Sequence, residues 1–160
     1  MSVNMFNGII IPVDVVEGAI TITETVSVTG DKSEPSLAAK VEEGDAVAIT
    51  GDFQVEKATG SNGVVIGFVH DHPEYEVDPT HNYTKTQAVN AGMLRKCGVE
   101  TTFVDVRTVP AKASESITPG MYVEWSADGW KKTASSGTTK SDAIALTTQG
   151  TDNIIVVGLK

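Results

Sequence analysis

The stretch Ile117-Thr118-Pro119-Gly120-Met121-Tyr122-Val123-Glu124-Trp125-Ser126-Ala127-Asp128-Gly129-Trp130-Lys131-Lys132-Thr133 carries the pattern that decides the fold. Met121, Val123 and Trp125 alternate with Tyr122 and Glu124, the two-residue period of a strand with one buried face. Asp128-Gly129 offers a positive φ at little steric cost, the signature of a tight turn, and Trp130 opens a return strand. Pro119-Gly120 marks another turn just before.

A weaker copy stands earlier in the chain. Val41, Gly44, Val47, Ile49, Asp52 and Ala58 fall on Ile117, Gly120, Val123, Trp125, Asp128 and Ala134 at a constant offset of 76. After a polar loop, Val65-Ile66-Gly67-Phe68 is expected to answer Ala143-Ile144-Ala145-Leu146, with the offset grown to 78. Turn, inward positions and following strand recur in order, which points to internal duplication of residues 41–69 as 117–147.

Composition supports a β-rich domain. The chain has 160 residues, 40% hydrophobic and 21% charged, so one core or two small lobes can form without a metal or disulfide. A net charge of −9 argues against a nucleic-acid groove, which needs clustered Lys and Arg. The single cysteine, Cys97, excludes an intrachain disulfide and reads as a small apolar filler. No basic residue precedes Lys32 and no apolar run exceeds strand length. The expectation is an intracellular product with no signal peptide and no membrane segment.

Residues 1–40 stand outside the repeat. Ile9-Ile10-Ile11-Pro12-Val13 reads as extended, and Ile20, Ile22, Val26 and Val28 share one face of a second alternating run, broken by Glu24. Two uses compete: an extended N-terminal arm, or simply the first strand of the domain. Residues 69–87 form a long irregular excursion containing His70, His72 and His81, and Thr84 to Leu94 offers a helix turn weakened by Gly92. Further strands fall in the stretch 95–110 and in 153–159. The aromatics Phe53, Phe68, Phe103, Trp125 and Trp130 are expected in the core. Nine to eleven short strands are expected, forming an all-β sandwich or partly closed small barrel from residues 41–160, with 1–40 as strand or arm.

Catalytic motifs are missing: no nucleophile elbow, no phosphate loop and no dinucleotide or zinc-protease signature. His70-Asp71-His72-Pro73-Glu74 places two histidines on one side of a strand, with Glu74 or His81 as a further candidate ligand. An exposed polar excursion is the simpler reading. Glu42-Glu43 with Asp45 likewise reads as a solvated acidic turn rather than an acid–base pair. The expectation is no enzyme, no catalytic residue, no metal and no cofactor.

The run Ile117 to Thr133, followed by Asp142-Ala-Ile-Ala-Leu and Asn153-Ile-Ile-Val-Val, resembles the tailed-phage capsid decoration (cement) proteins, and Val41 to Val69 resembles the same pattern again. The resemblance implies a virion protein, made in the host cytoplasm, that binds the outside of an assembled major-capsid lattice and stabilises it, often as a homotrimer. The arm would then add as a strand, with Ile9, Ile10, Ile11 and Val13 as partner-binding anchors. Alternatives are another virion component, such as a tail-tube or head-completion protein, or a β-sandwich carbohydrate-binding module using Trp125, Tyr122 or Trp130.

Overall fold

The computed structural model describes residues 8–22, 35–75, 92–133 and 143–160, and among them the only regular elements are strands. In chain order these are β1 (Ile10–Val15), β2 (Ala19–Ile22), β3 (Pro35–Leu37), β4 (Ala46–Gly51), β5 (Gln54–Lys57), β6 (Val64–Val69), β7 (Glu74–Tyr75), β8 (Arg95–Thr101), β9 (Asp105–Pro110), β10 (Tyr122–Ser126), β11 (Gly129–Lys132), β12 (Ala143–Ala145) and β13 (Ile154–Leu159). The strand after Ile22, its Glu24 break, residues 84–91 of the helix turn expected over 84–94, and both His81 and Ala134 lie outside the described residues, and 92–94 are not helical.

The first sheet closes on itself. Its strands run β1, β5, β4, β6, β8, and β8 returns to β1 in six antiparallel pairs from Ile10↔Glu100 to Val15↔Arg95. The last joint is parallel, Asp14↔Gln54 and Val15↔Val55. Closure leaves no bare edge among these five strands, the feature that keeps small β proteins from pairing edge to edge. Ile11, Val13, Val15, Val47, Ile49, Val55, Cys97 and Val99 fill the interior. Short β7 pairs with the start of β8, and β2–β3 form a separate hairpin.

The second sheet repeats that circle. Its order is β11, β10, β12, β13, β9. A parallel bridge from Ala111 to Trp130 brings the ends together, and Lys112 N donates to Trp130 O at 2.7 Å. The counterpart in the first barrel is Val16 N donating to Val55 O at 2.8 Å. Ile117, Val123, Ala143, Ala145, Ile155 and Val157 form the second core. The duplication is therefore one of topology as well as sequence. Gly44 and Gly120 adopt nearly the same left-handed φ, +88° and +87°, a conformation that side chains resist. Gly44 N donates to Val69 O and Gly120 N to Ala145 O, both at 2.8 Å.

Those bonds correct the expected register. Val69 matches Ala145, and Phe68 matches Ile144, so the offset remains 76 and does not grow to 78. A two-residue slip leaves every side chain on its own face, so alternation alone cannot detect it. The turns are also shifted: Gly51↔Gln54 flank Asp52-Phe53, whereas Ser126↔Gly129 flank Ala127-Asp128. An irregularity between Ile49 and Gly51 adds one residue to the first copy, so Asp52 occupies the place of Ala127, not of Asp128.

The N-terminal segment is also resolved in favour of a strand over residues 10–15. Ile11 and Val13 are buried inside the first barrel, whereas Ile9 and Ile10 remain exposed. Ile11 and Val13 therefore cannot serve as anchors for a partner. They are core residues, because β1 supplies the stave between β5 and β8.

One end of the first barrel is fixed by an ion pair taken out of water. Arg95 Nε donates to Glu17 Oε2 at 2.8 Å and Nη2 to Glu17 Oε1, with the two side chains 8% and 4% exposed. The guanidinium also donates to Pro73 O at 2.8 Å and Val41 O at 2.9 Å, while Glu17 Oε1 accepts from Val41 N at 2.8 Å. This bidentate arrangement joins the exit of β1, the entry to the first repeat, the segment before β7, and β8. Removing one member strands the other charge in a poorly solvated site. Arg95→Met is expected to lower unfolding free energy by about 3–5 kcal/mol, with part regained in the Glu17→Gln/Arg95→Met double variant. Urea midpoints measure both; equal loss in single and double variants would contradict the pairing.

Candidate functional site

The residues with the best sequence claim to chemistry are occupied structurally. His70 is exposed, with Nδ1 3.8 Å from Glu100 Oε2. Asp71 Oδ1 accepts from Gly98 N, Pro73 offers its carbonyl to Arg95, and Glu74 pairs with Lys96 in β7–β8. Among the described residues no three His, Cys, Asp or Glu side chains gather where a metal ion would sit. Asp45 accepts from Glu42 N at 2.9 Å and from Lys57 Nζ at 2.9 Å. The Lys57 hydrogen bond holds the Asp45 carboxyl below its ordinary value, with the Glu42 backbone contact adding to it. The acidic turn is thus a clasp between the entry to β4 and the end of β5.

A cavity of about 250 Å³ opens beside the buried ion pair, lined by Val15, Glu17, Leu37, Tyr75, Leu94 and Arg95. Its charged groups face each other and the backbone. Among the described residues no buried side-chain nitrogen or oxygen lacks a hydrogen-bond partner.

What stands out instead is apolar surface on a stiff frame. Ile9, Ile10, Val65, Val104, Trp125 and Ile154 are the large hydrophobic side chains that reach solvent among the described residues. Ile9, Ile10 and Val104 share one corner: Ile9 N donates to Phe103 O at 2.9 Å, and Val104 follows directly. Trp125 lies at the hairpin end of the second barrel, 62% exposed, contrary to its expected place in the core. Its ring meets Trp130 edge-on, with centroids 6.3 Å apart and planes at 69°. Trp130 and Tyr122 are half-buried, and Lys160 Nζ lies 5.7 Å from the Tyr122 ring centre. Alternation placed Trp125 on the inward face correctly; what it could not reveal is that the strand runs past the core it faces.

No protein-family model matches the chain, and no curated protein matches it.

Cys97 faces the first core, and burial pushes its thiol up to about 11 from 9.0, with Asp71 adding to the shift. The unfolded chain ionises first, so the contribution of the protonated thiol is complete below pH 9.0 and is lost as pH rises through about 11. Relative to Cys97→Ala, the natural protein is expected to lose about 2 kcal/mol of stability across that window. Chemical denaturation at several alkaline pH values checks this; a constant difference between the two proteins would contradict it.

Proposed function

We propose that the chain is a structural virion protein that binds the outside of an assembled capsid lattice and stabilises it. The observation that carries this reading is the exposed apolar corner of Ile9, Ile10 and Val104 on a closed, duplicated barrel. The sequence resemblance to decoration proteins supplies the partner, the major capsid protein. A cement protein needs complementary surface and stiffness rather than a reacting group, and closed barrels supply stiffness without a free edge that would pair indiscriminately. Apolar anchors set in a well-supported frame are the usual source of interface affinity. Several copies acting at once, as in the trimer that the resemblance implies, would make modest contacts suffice.

The test is cosedimentation of purified protein with expanded empty shells. Ile10→Asp and Val104→Asp, both at exposed positions, are expected to weaken shell binding about tenfold or more while leaving the thermal midpoint within a few degrees. Binding unchanged by both substitutions would remove this corner from the interface. No binding by the natural protein to any shell form would remove the reading.

Trp125 favours a second reading, a carbohydrate-binding module, because a solvent-facing indole is what sugar stacking requires. Quenching or a blue shift of tryptophan fluorescence with oligosaccharides, abolished in Trp125→Ala, would support it over the first.

A further inference from the structure

The two barrels meet through a contact that is not symmetric. The hairpin end of the first, β4–β5, is covered by the second. Asp52 Oδ1 accepts from Thr148 N at 2.6 Å and from Thr148 Oγ1 at 2.8 Å, and Phe53 N donates to Leu146 O at 3.2 Å. Gly120 packs on Ile49, whose Cγ2 lies 3.4 Å from where a side chain at position 120 would begin.

The duplication gives each half of this contact a counterpart elsewhere on the chain. The covered hairpin end corresponds to Trp125 and the Ala127-Asp128 turn of β10–β11. The covering face corresponds to Gly44, His70 and His72 of the first barrel. That match is fixed by backbone bonds: Leu146 N donates to Val156 O at 2.8 Å just as His70 N donates to Gly98 O at 2.9 Å.

Both counterparts are bare among the described residues. Ile49 is 2% exposed, whereas Trp125 in its place is 62% exposed. A side chain at Gly44 would meet nothing within 4 Å, although its twin Gly120 touches Ile49. His70 is exposed where its counterpart Leu146 is buried; His72, like its counterpart Thr148, is exposed.

We infer that a second copy of this chain completes the pair, the Trp125 end of one copy seating on the Gly44–His70–His72 face of the next. The contact is heterologous, so repeated use gives a closed ring or an open file of subunits according to its rotation. It does not rest on the capsid reading, and its test needs no shell.

Two variants in a Cys97→Ser background, Ala127→Cys and His72→Cys, are mixed and oxidised. The expected result is a disulfide dimer joining one variant to the other, several times more abundant than either self-linked dimer. Trp125→Ala, at an exposed position, is expected to weaken association about thirtyfold in concentration-dependent light scattering of otherwise natural protein. Dominant self-linking of Ala127→Cys would overturn the inference, since it means tryptophan ends meeting each other. A mass of 16.8 kDa at every concentration, with no mixed dimer, would overturn it equally.

Discussion

The ring of Phe103 occupies the space that a side chain on Gly158 would need: a carbon placed there would lie 2.5 Å from Phe103 Cε2. Phe103 sits in the short link between β8, the last stave of the first barrel, and β9, the first stave of the second, and it is fully buried. Only one of these two positions can carry a side chain. With the aromatic on the linker and glycine on β13, the connection itself becomes the wedge between the barrels. Ile144 of β12 and Leu146 just after it join the same apolar cluster, while Ala143 and Ala145 on the other face of the strand fill the second core. Both faces of that strand are therefore used, which is why its residues read as a continuous apolar run rather than an alternating one.

The two copies of one circle of strands differ in exposure where they touch. At the joint, Ile49 and Leu146 are apolar and buried; at the matching free positions, Trp125 and His70 face solvent. Elsewhere the copies keep the same glycine turn, the same parallel closure and the same bonds joining the entry of β4 to β6 and the entry of β10 to β12. Among the described residues the buried polar side chains are Glu17, Arg95 and Thr101, whose hydroxyl donates to Ile9 O at 2.7 Å.

Much of this architecture was legible in the chain. The alternation from Met121 to Trp125 and the glycine turns at 44 and 120 gave an all-β duplicated barrel because period and turn chemistry are local properties. Distant pairings were not legible. Glu17 and Arg95 lie 78 residues apart, and nothing in either neighbourhood announces a buried ion pair. An arm and a barrel stave share one pattern, so Ile11 and Val13 looked available until β8 was seen paired against them. The candidate site was read less well for a physical reason: it is defined by exposure, which depends on where a neighbouring barrel stops. Trp125 and Ile49 occupy matching inward positions, and only the presence or absence of a covering face separates them.

The central claim, that Phe103 and the Asp52–Thr148 contact lock the two barrels into one cooperative unit, is open to one direct measurement. Both tryptophans lie in the second barrel and the only cysteine in the first. Equilibrium urea unfolding followed by tryptophan fluorescence and by pulsed labelling of Cys97 therefore reports on the barrels separately. The account predicts coincident transitions for the natural protein. Two separated midpoints would contradict it, since the barrels would then be independent folding units that merely share a chain.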